Sequence, residues 1–190
     1  MPFTEDTYFK KSFSRLSQAT ILDKEFEDCT FDGCSFMGCR FEKCRFINCT
    51  FKGCMLSAII PMHSSFVDVQ FKDSKVIGFD WTRARNVDAI AFEECQVNYS
   101  SFRALRLAKL RMVKCEAREV DFVETDLEGG NFTGTDFAGS VFHKTNLTKA
   151  DFSGAKNYQI DLRENRAKKA KFSLPEALSL LESFGVEVKG

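Results

Sequence analysis

The chain has little of the chemistry that enzymes usually display. Only two histidines, His63 and His143, occur among its 190 residues, and neither lies in a motif. No phosphate-binding glycine loop and no G-x-S-x-G nucleophile motif is present. Lysine and arginine total 27 and aspartate and glutamate total 27, so the formal net charge is zero. The sequence therefore predicts neither catalysis nor a cofactor.

Long apolar runs are also missing. No segment approaches the roughly eighteen apolar residues that a membrane-spanning helix requires. The N-terminus does not show a basic segment followed by an apolar core, which is the pattern of a secretory signal. These absences argue against secretion and membrane insertion, so we expect a cytoplasmic protein.

Phenylalanine, by contrast, is abundant, and from Phe26 to Phe51 it returns at every fifth residue. A step of five turns about 140° on an α-helix and changes face on a strand, so neither element could bury this column on one side. A backbone that bends after each pentapeptide can direct every such residue to one interior. Four sides then bring the chain back above its start after about twenty residues. This period predicts a β-solenoid.

Two other residue columns follow the same frame. A small residue, often cysteine, stands two positions before most of the large apolar residues, where space inside the coil is limited, although the middle coils have larger residues there. Eight of the eleven glycines lie two positions after it, where a corner must turn. We expect stacked aromatic ladders whose members include Phe31, Phe51, Phe71, Phe46, Phe66, Phe132 and Phe152.

The frame divides the chain into three parts. Residues 1–15 precede it and are expected to form an N-terminal cap. Residues 16–162 are expected to form about seven and a half coils, with a one-residue slip at 82–86. That slip contains Arg83 and Arg85, and it is interpreted either as a bulge or as a projecting contact, with the bulge favoured.

Residues 163–190 have a different composition. A basic connector leads to Ser173 and Glu176, which are spaced as a capping box, and Gly185 is a suitable helix end. We expect a helix of about eleven residues that covers the last coil and meets its twin in a homodimer. The expected dimer contacts are Leu174, Leu178, Leu181, Phe184, Val186 and Val188.

Eight cysteines raise the question of metal or disulfide chemistry. They recur on successive sides of the predicted coil and so diverge, whereas metal ligands must converge on one point. Pairs twenty residues apart, such as Cys29 and Cys49, would lie within disulfide range. We favour buried free thiols and expect no metal site.

The repeats resemble the pentapeptide repeat family, whose pattern is A(D/N)Lxx or A(D/N)Fxx. Ala150-Asp151-Phe152 and Thr145-Asn146-Leu147 fit this pattern closely. The resemblance implies an all-β fold, a right-handed quadrilateral β-helix with a short C-terminal helix. It also implies that Asp or Asn before the large residue bonds the backbone near the corners.

Within the family, the run from Phe41 to Cys49 and the ending from Leu180 to Val188 resemble topoisomerase-protecting members, the Qnr proteins, MfpA and McbG. These are dimers that bind DNA gyrase or topoisomerase IV as DNA mimics. The resemblance implies a protein partner bound by acidic side chains. The candidate acidic residues are Glu116, Glu119, Asp121, Glu124, Asp126, Glu128 and Asp136.

Two alternatives remain open. One is a scaffold for some other protein partner, because a fold does not fix a function. The other is direct nucleic-acid binding through residues 103–114 and 163–171. It ranks last, because these basic segments lack interleaved aromatic residues and the chain has no net positive charge.

Overall fold

The computed structural model describes residues 3–187, which wind as a parallel β-solenoid of about eight turns with one short C-terminal helix. The predicted fold class is confirmed. A 3₁₀ turn at Trp81–Arg83 and another at Glu176–Leu178 accompany helix α1 at Ser179–Glu182. The strands are β1 (Thr7–Phe9), β2 (Ser12–Ser14), β3 (Thr20–Leu22), β4 (Glu25–Glu27), β5 (Thr30–Asp32), β6 (Arg40–Glu42), β7 (Arg45–Ile47), β8 (Thr50–Lys52), β9 (Ile60–Met62), β10 (Ser65–Val67), β11 (Gln70–Lys72), β12 (Asn86–Asp88), β13 (Ala91–Glu93), β14 (Arg111–Val113), β15 (Asp151–Phe152) and β16 (Lys171–Phe172).

The coil has four sides, which we number in the order in which the chain meets them. The first side carries the sheet β1-β4-β7-β10-β12, and the second carries β2-β5-β8-β11-β13-β14 and the pair β15-β16. The third side is held by single parallel bridges that run from Ser17 to Lys156. The fourth side begins with β3-β6-β9 and continues as bridges from Asp80 to Val141. Each strand therefore pairs mainly with the coil before and the coil after it.

The interior is filled by the predicted ladders. On the second side Phe51 lies between Phe31 and Phe71, with ring centroids 4.6 Å and 5.2 Å away and nearly parallel planes. Phe132 and Phe152 continue this side with centroids 4.9 Å apart. All seven expected ladder members are completely buried. The core is thus a column along the axis rather than a central cluster.

The regular coils begin earlier than residue 16. Tyr8 in β1 stacks on Phe26, and Phe13 in β2 stacks on Phe31, both at 5.2 Å between ring centroids. Both strands pair with partners 18 residues later, because the first coil is two residues shorter than the others between its third and fourth sides. Phe3 packs edge-on against these rings and covers the end of the ladder.

The slip coincides with a proline. Partners on the first side lie 20 residues apart from Glu25 to Ser65 and 21 apart from Ser65 to Asn86. Pro61 in β9 has no N–H to donate to the next coil, and the Asp80 carbonyl accepts the Arg83 N–H at 3.2 Å instead. The extra residue is therefore accommodated by a 3₁₀ turn, not by a β-bulge.

The coils also extend beyond residue 162. Arg166 bridges Asn146, and Phe172 in β16 stacks on Phe152 at 5.2 Å, so the segment expected to be a connector forms sides of the last coil. Tyr158 is buried here with its hydroxyl unpartnered, and burial raises its pKa to about 12. Within residues 3–187, no helix is long and apolar enough to cross a membrane.

Candidate interaction surface

The acidic and amide residues before each large core residue stabilise the corners of the coil. Their side-chain oxygen accepts the backbone N–H two residues later, as in Asp121 to Val123 at 2.9 Å. The same turn recurs at Asp126, Asn131, Asp136, Asn146, Asp151 and Asp161. The corner bonding that the family resemblance implied is confirmed at these positions.

Asp151 and Asp161 are two of the aspartates whose pKa these hydrogen bonds lower. The side chain and backbone N–H of Ser153, together with nearby Lys171, hold the pKa of Asp151 below its ordinary value. The Arg163 side chain and its N–H lower the pKa of Asp161 to about 2. Both carboxylates therefore remain ionised to a lower pH than an ordinary aspartate while they accept these backbone hydrogen bonds.

The small inward residues do more than fill space. The Cys54 thiol donates to the Phe31 carbonyl of the previous coil at 3.3 Å, and the Thr145 hydroxyl donates to the Phe122 carbonyl at 2.8 Å. Both carbonyls lie 23 residues earlier, so a buried acceptor is satisfied at each such corner. Sequence reasoning treated these residues only as fillers and missed this bonding.

All eight cysteines are buried as free thiols in the structure. Burial raises the pKa of Cys49 and Cys54 to about 12, so the thiolate form is disfavoured inside the coil. In the part of the chain that the structure describes, no three histidine, cysteine or acidic side chains come together in a way that could hold a metal ion.

The candidate acidic residues lie on three sides of the coil rather than on one face. Glu116 bridges Asp136 on the third side, Asp121 bridges Ser101 on the fourth, and Asp126 bridges Arg106 on the first. Glu119 and Glu124 occupy the corners that follow the third and fourth sides, and Glu128 follows Asp126. Together these seven residues form an acidic zone on three of the four sides.

Several of these charges are already neutralised. Asp121 pairs with Arg103 at 2.9 Å, Asp136 with Arg118 at 2.8 Å, and Glu128 with Lys149 at 2.9 Å. Among residues 3–187, Glu116, Glu119 and Glu124 have no basic group within 4.0 Å. We call these three residues the acidic band. Asp126 also lacks a basic partner in the described part of the chain, but its carboxylate accepts hydrogen bonds from the Asn146 side chain and the Glu128 N–H.

The two arginines of the slip stay close to the coil. Arg83 ends the 3₁₀ turn and pairs with Asp80 at 3.4 Å, and the Asp80 carboxylate also accepts the Thr82 N–H. Arg85 donates its N–H to the Ser64 carbonyl at 2.8 Å, and its side chain is exposed. The slip thus presents one helical turn and no long loop.

The C-terminal segment differs from its predicted form. Helix α1 has four residues, not about eleven, and the predicted capping box is absent. The Ser173 hydroxyl instead accepts the Gly154 N–H at 2.7 Å, which joins the segment to the last coil. Gly185 follows the helix with φ of 70°, as a helix-ending glycine should.

An apolar patch remains uncovered at this end. Leu180 is buried against the coil, while the other apolar side chains point outward. The exposed side chains, which we call the terminal patch, are Leu174, Leu178, Leu181, Phe184 and Val186. Val188, also expected at a dimer contact, lies outside the described residues.

Two family models match the chain. The model described as pentapeptide repeat region matches residues 24–102, and the model described as pentapeptide repeats (8 copies) matches residues 121–156. The chain is a pentapeptide repeat protein. The region between the two matches, residues 103–120, follows the slip and keeps the same four-sided winding in the structure.

Solved structures of other pentapeptide repeat proteins are similar to this one. One form of QnrB1, a plasmid-mediated fluoroquinolone resistance protein, is 21% identical with a TM-score of 0.49, and the match covers 97% of this chain and 99% of that one. HetL, involved in heterocyst differentiation regulation in the cyanobacterium Nostoc sp. strain PCC 7120, is 11% identical with a TM-score of 0.41, with 90% of each chain covered. No curated protein matches the chain.

Proposed function

We propose that this pentapeptide repeat protein acts without catalysis, by binding a protein partner through its outer surface. The observation that carries this proposal is the complete use of the interior for packing. The inward side chains stack, and the small ones beside them bond the backbone. The side chains left to meet another molecule lie on the outside of a rigid coil.

The partner we propose is a type II topoisomerase, DNA gyrase or topoisomerase IV, protected from quinolones or peptide toxins. Its support is the sequence resemblance to the topoisomerase-protecting members and the unpaired charge of the acidic band. A narrow coil with negative charge can occupy a cationic DNA-binding groove, because such a groove selects for charge density along a cylinder. The alternative is a scaffold for a different protein partner.

Gyrase supercoiling in the presence of a fluoroquinolone separates these two functions. Titration of the protein should restore supercoiling at low stoichiometry if it protects the enzyme. The assay should be run at low salt, because interactions between charged groups are screened least there. If the assay shows no rescue and no inhibition up to tens of micromolar protein, the topoisomerase proposal is contradicted and the scaffold function remains.

The contribution of the acidic band can be isolated with matched variants. The combined change Glu116→Gln, Glu119→Gln and Glu124→Gln should weaken rescue by about tenfold, because three unpaired charges are lost. The control changes three glutamates of the N-terminal half, Glu5, Glu27 and Glu93, to glutamine. Equal loss in both variants would show that net charge, not the band, is responsible.

We also propose that the protein is a homodimer joined through the terminal patch. Its support is the exposure of five apolar side chains within residues 174–186, with Leu174 exposed by 74%. A two-fold contact would place the same patch on both copies and remove it from water.

A pair of variants tests the dimer by light scattering. Leu178→Glu with Leu181→Glu should yield a monomer, because a buried unpaired charge opposes the contact. Val141→Glu, at a residue that is 50% exposed on the fourth side, should leave the mass unchanged. A wild-type monomer, or a dimer that survives the double change, would refute the proposal.

A further inference from the structure

The structure brings together two basic segments that are far apart in sequence. Arg106 and Lys109 belong to the coil that follows the slip, whereas Arg166, Lys168 and Lys169 belong to the last coil. The bridges from Arg106 to Asp126, Asn146 and Arg166 place both segments on the first side. Lys149 lies on the corner between them.

The lysines form a straight column along one edge of the coil. The N–H groups of Lys109, Gly129 and Lys149 each donate to the coil above, at 2.7, 2.8 and 2.9 Å, so these corners stack in register. Lys109, Gly129, Lys149 and Lys169 all have φ between 60° and 67°. Four successive corners therefore repeat one backbone conformation, and three of them place an exposed lysine on the outside of the coil.

Gly129 leaves room for the neighbouring lysine. A Cβ placed on this glycine would lie 3.8 Å from Lys109 Cγ, so the aliphatic part of Lys109 extends across the next corner toward Lys149. At the usual strand spacing, the corners of Lys149 and Lys169 are about 4.8 Å apart and the column spans roughly 14 Å.

Most of this positive charge is free. All six residues are exposed, and we call them the basic ridge: Arg106, Lys109, Lys149, Arg166, Lys168 and Lys169. Within residues 3–187 only Lys149 has a carboxylate partner within 4.0 Å, namely Glu128. Asp126 is the other acidic residue on the first side between Arg106 and Arg166. Its carboxylate accepts hydrogen bonds from the Asn146 side chain and the Glu128 N–H.

We propose that the basic ridge is a binding site for the phosphate backbone of duplex nucleic acid. Each strand carries one phosphate for about every 3.4 Å of duplex length, so a ridge of roughly 14 Å lies along a length of duplex that carries about four phosphates per strand. The match is to charge, because lysine ammonium groups pair with phosphate oxygens, and such contacts carry no sequence information. Binding is therefore sequence-independent.

The linear arrangement favours a duplex over the other polyanions. A surface that binds an anionic membrane usually has large apolar side chains next to its basic ones. The residues that precede Lys109 and Lys149 are the small or polar Ala108 and Thr148. The site is independent of the topoisomerase proposal, because it lies on the first side and uses charge of the opposite sign.

Fluorescence anisotropy with a labelled 20-bp duplex and the full chain tests the site. Affinity should fall as salt rises, with a log–log slope between about −3 and −5, corresponding to roughly four phosphate contacts. The variant Lys109→Gln with Lys149→Gln and Lys169→Gln should bind about tenfold more weakly at low salt. Its slope should be smaller by roughly 2 to 3.

The matched control is Lys43→Gln with Lys52→Gln and Lys75→Gln, three exposed lysines in the N-terminal half that have no ion pair in the described structure. It changes net charge equally and should bind within about twofold of the parent. The single change Lys109→Gln, with a slope smaller by about 1, keeps the test valid if the triple variant folds poorly.

Three results would overturn the proposal. The first is no duplex binding at low salt up to 100 micromolar protein. The second is equal weakening in the ridge and control variants, which would indicate net charge alone. The third is ridge-dependent binding of phosphatidylserine vesicles or polyglutamate without binding of the duplex, because the ridge would then serve a membrane or an acidic protein.

Discussion

At the scale of single residues, the fold depends on side chains that point inward and satisfy two requirements at once. The large ones stack along the axis, and the small ones fill the remaining space and donate to buried carbonyls. Thiols perform this role in the first coils and hydroxyls perform it later, as at Cys54 and Thr145. Both groups can donate a hydrogen bond, which alanine at the same position could not do.

Phe51→Ala tests the stacking. Its ring lies between two others and is completely buried, so truncation should leave a cavity and cost about 3–5 kcal/mol of unfolding free energy. Phe9→Ala is the control, because this ring is 50% exposed and should cost under about 1 kcal/mol. Urea unfolding followed by circular dichroism measures both. A loss under about 1 kcal/mol at Phe51 would count against the stacked core.

At the scale of one side or corner, the coil tolerates an irregular number of residues where a local hydrogen bond replaces a missing bond between coils. The 3₁₀ turn after Asp80 is such a place. Pro61 leaves the Asp80 carbonyl without its partner from the previous coil, and the turn supplies the Arg83 N–H. An inserted residue and a proline in the preceding coil thus compensate for each other.

Deleting Thr82 tests this interpretation of the slip. The deletion removes the extra residue, and the Arg83 N–H can take the place of the Thr82 N–H on Asp80, so the coils after the slip keep their frame. We expect a melting temperature only a few degrees lower than that of the parent, because the frame is kept although the Asp80 carbonyl loses the Arg83 N–H. Deleting Thr133, in a regular coil, should unfold or strongly destabilise the protein, because the later residues lose their inward positions. Equal loss in both deletions would contradict the interpretation.

Most of the fold could be predicted from the sequence because a solenoid converts a sequence period directly into a spatial column. The first coil was misplaced because it is two residues shorter than the others. A signal was present, since Phe3, Tyr8 and Phe13 keep the five-residue period in a different frame. The 3₁₀ turn could not be predicted, because its hydrogen bond depends on a proline in the coil before it.

The surface was harder to predict than the core. The acidic residues were grouped by their closeness in sequence, but successive pentapeptides face different sides, so they lie on three of the four sides. The basic segments 103–114 and 163–171 could be identified in the sequence, but their alignment with Lys149 along one edge was missed, because the corner lysines are separated by twenty or forty residues. Side chains meet on a solenoid when their positions differ by whole coils.

At the scale of the whole molecule, opposite charges occupy different parts of one rigid coil. The acidic band lies on the third side and at the corners that follow the third and fourth sides, and the basic ridge follows the first side into the last coil. A net charge of zero therefore does not describe an electrically neutral surface. The proposed topoisomerase contact and the proposed nucleic-acid contact use these two regions separately.

Displacement of a labelled DNA duplex from gyrase tests the central claim most directly. The titrant should be the Lys109→Gln, Lys149→Gln and Lys169→Gln variant, so that its own contact with DNA does not remove the label. If the protein acts as a substitute for DNA, it should release the duplex at a concentration close to that of the enzyme. Adding the three acidic-band changes should raise that concentration about tenfold. A duplex that stays bound to gyrase at a large excess of protein would contradict the account.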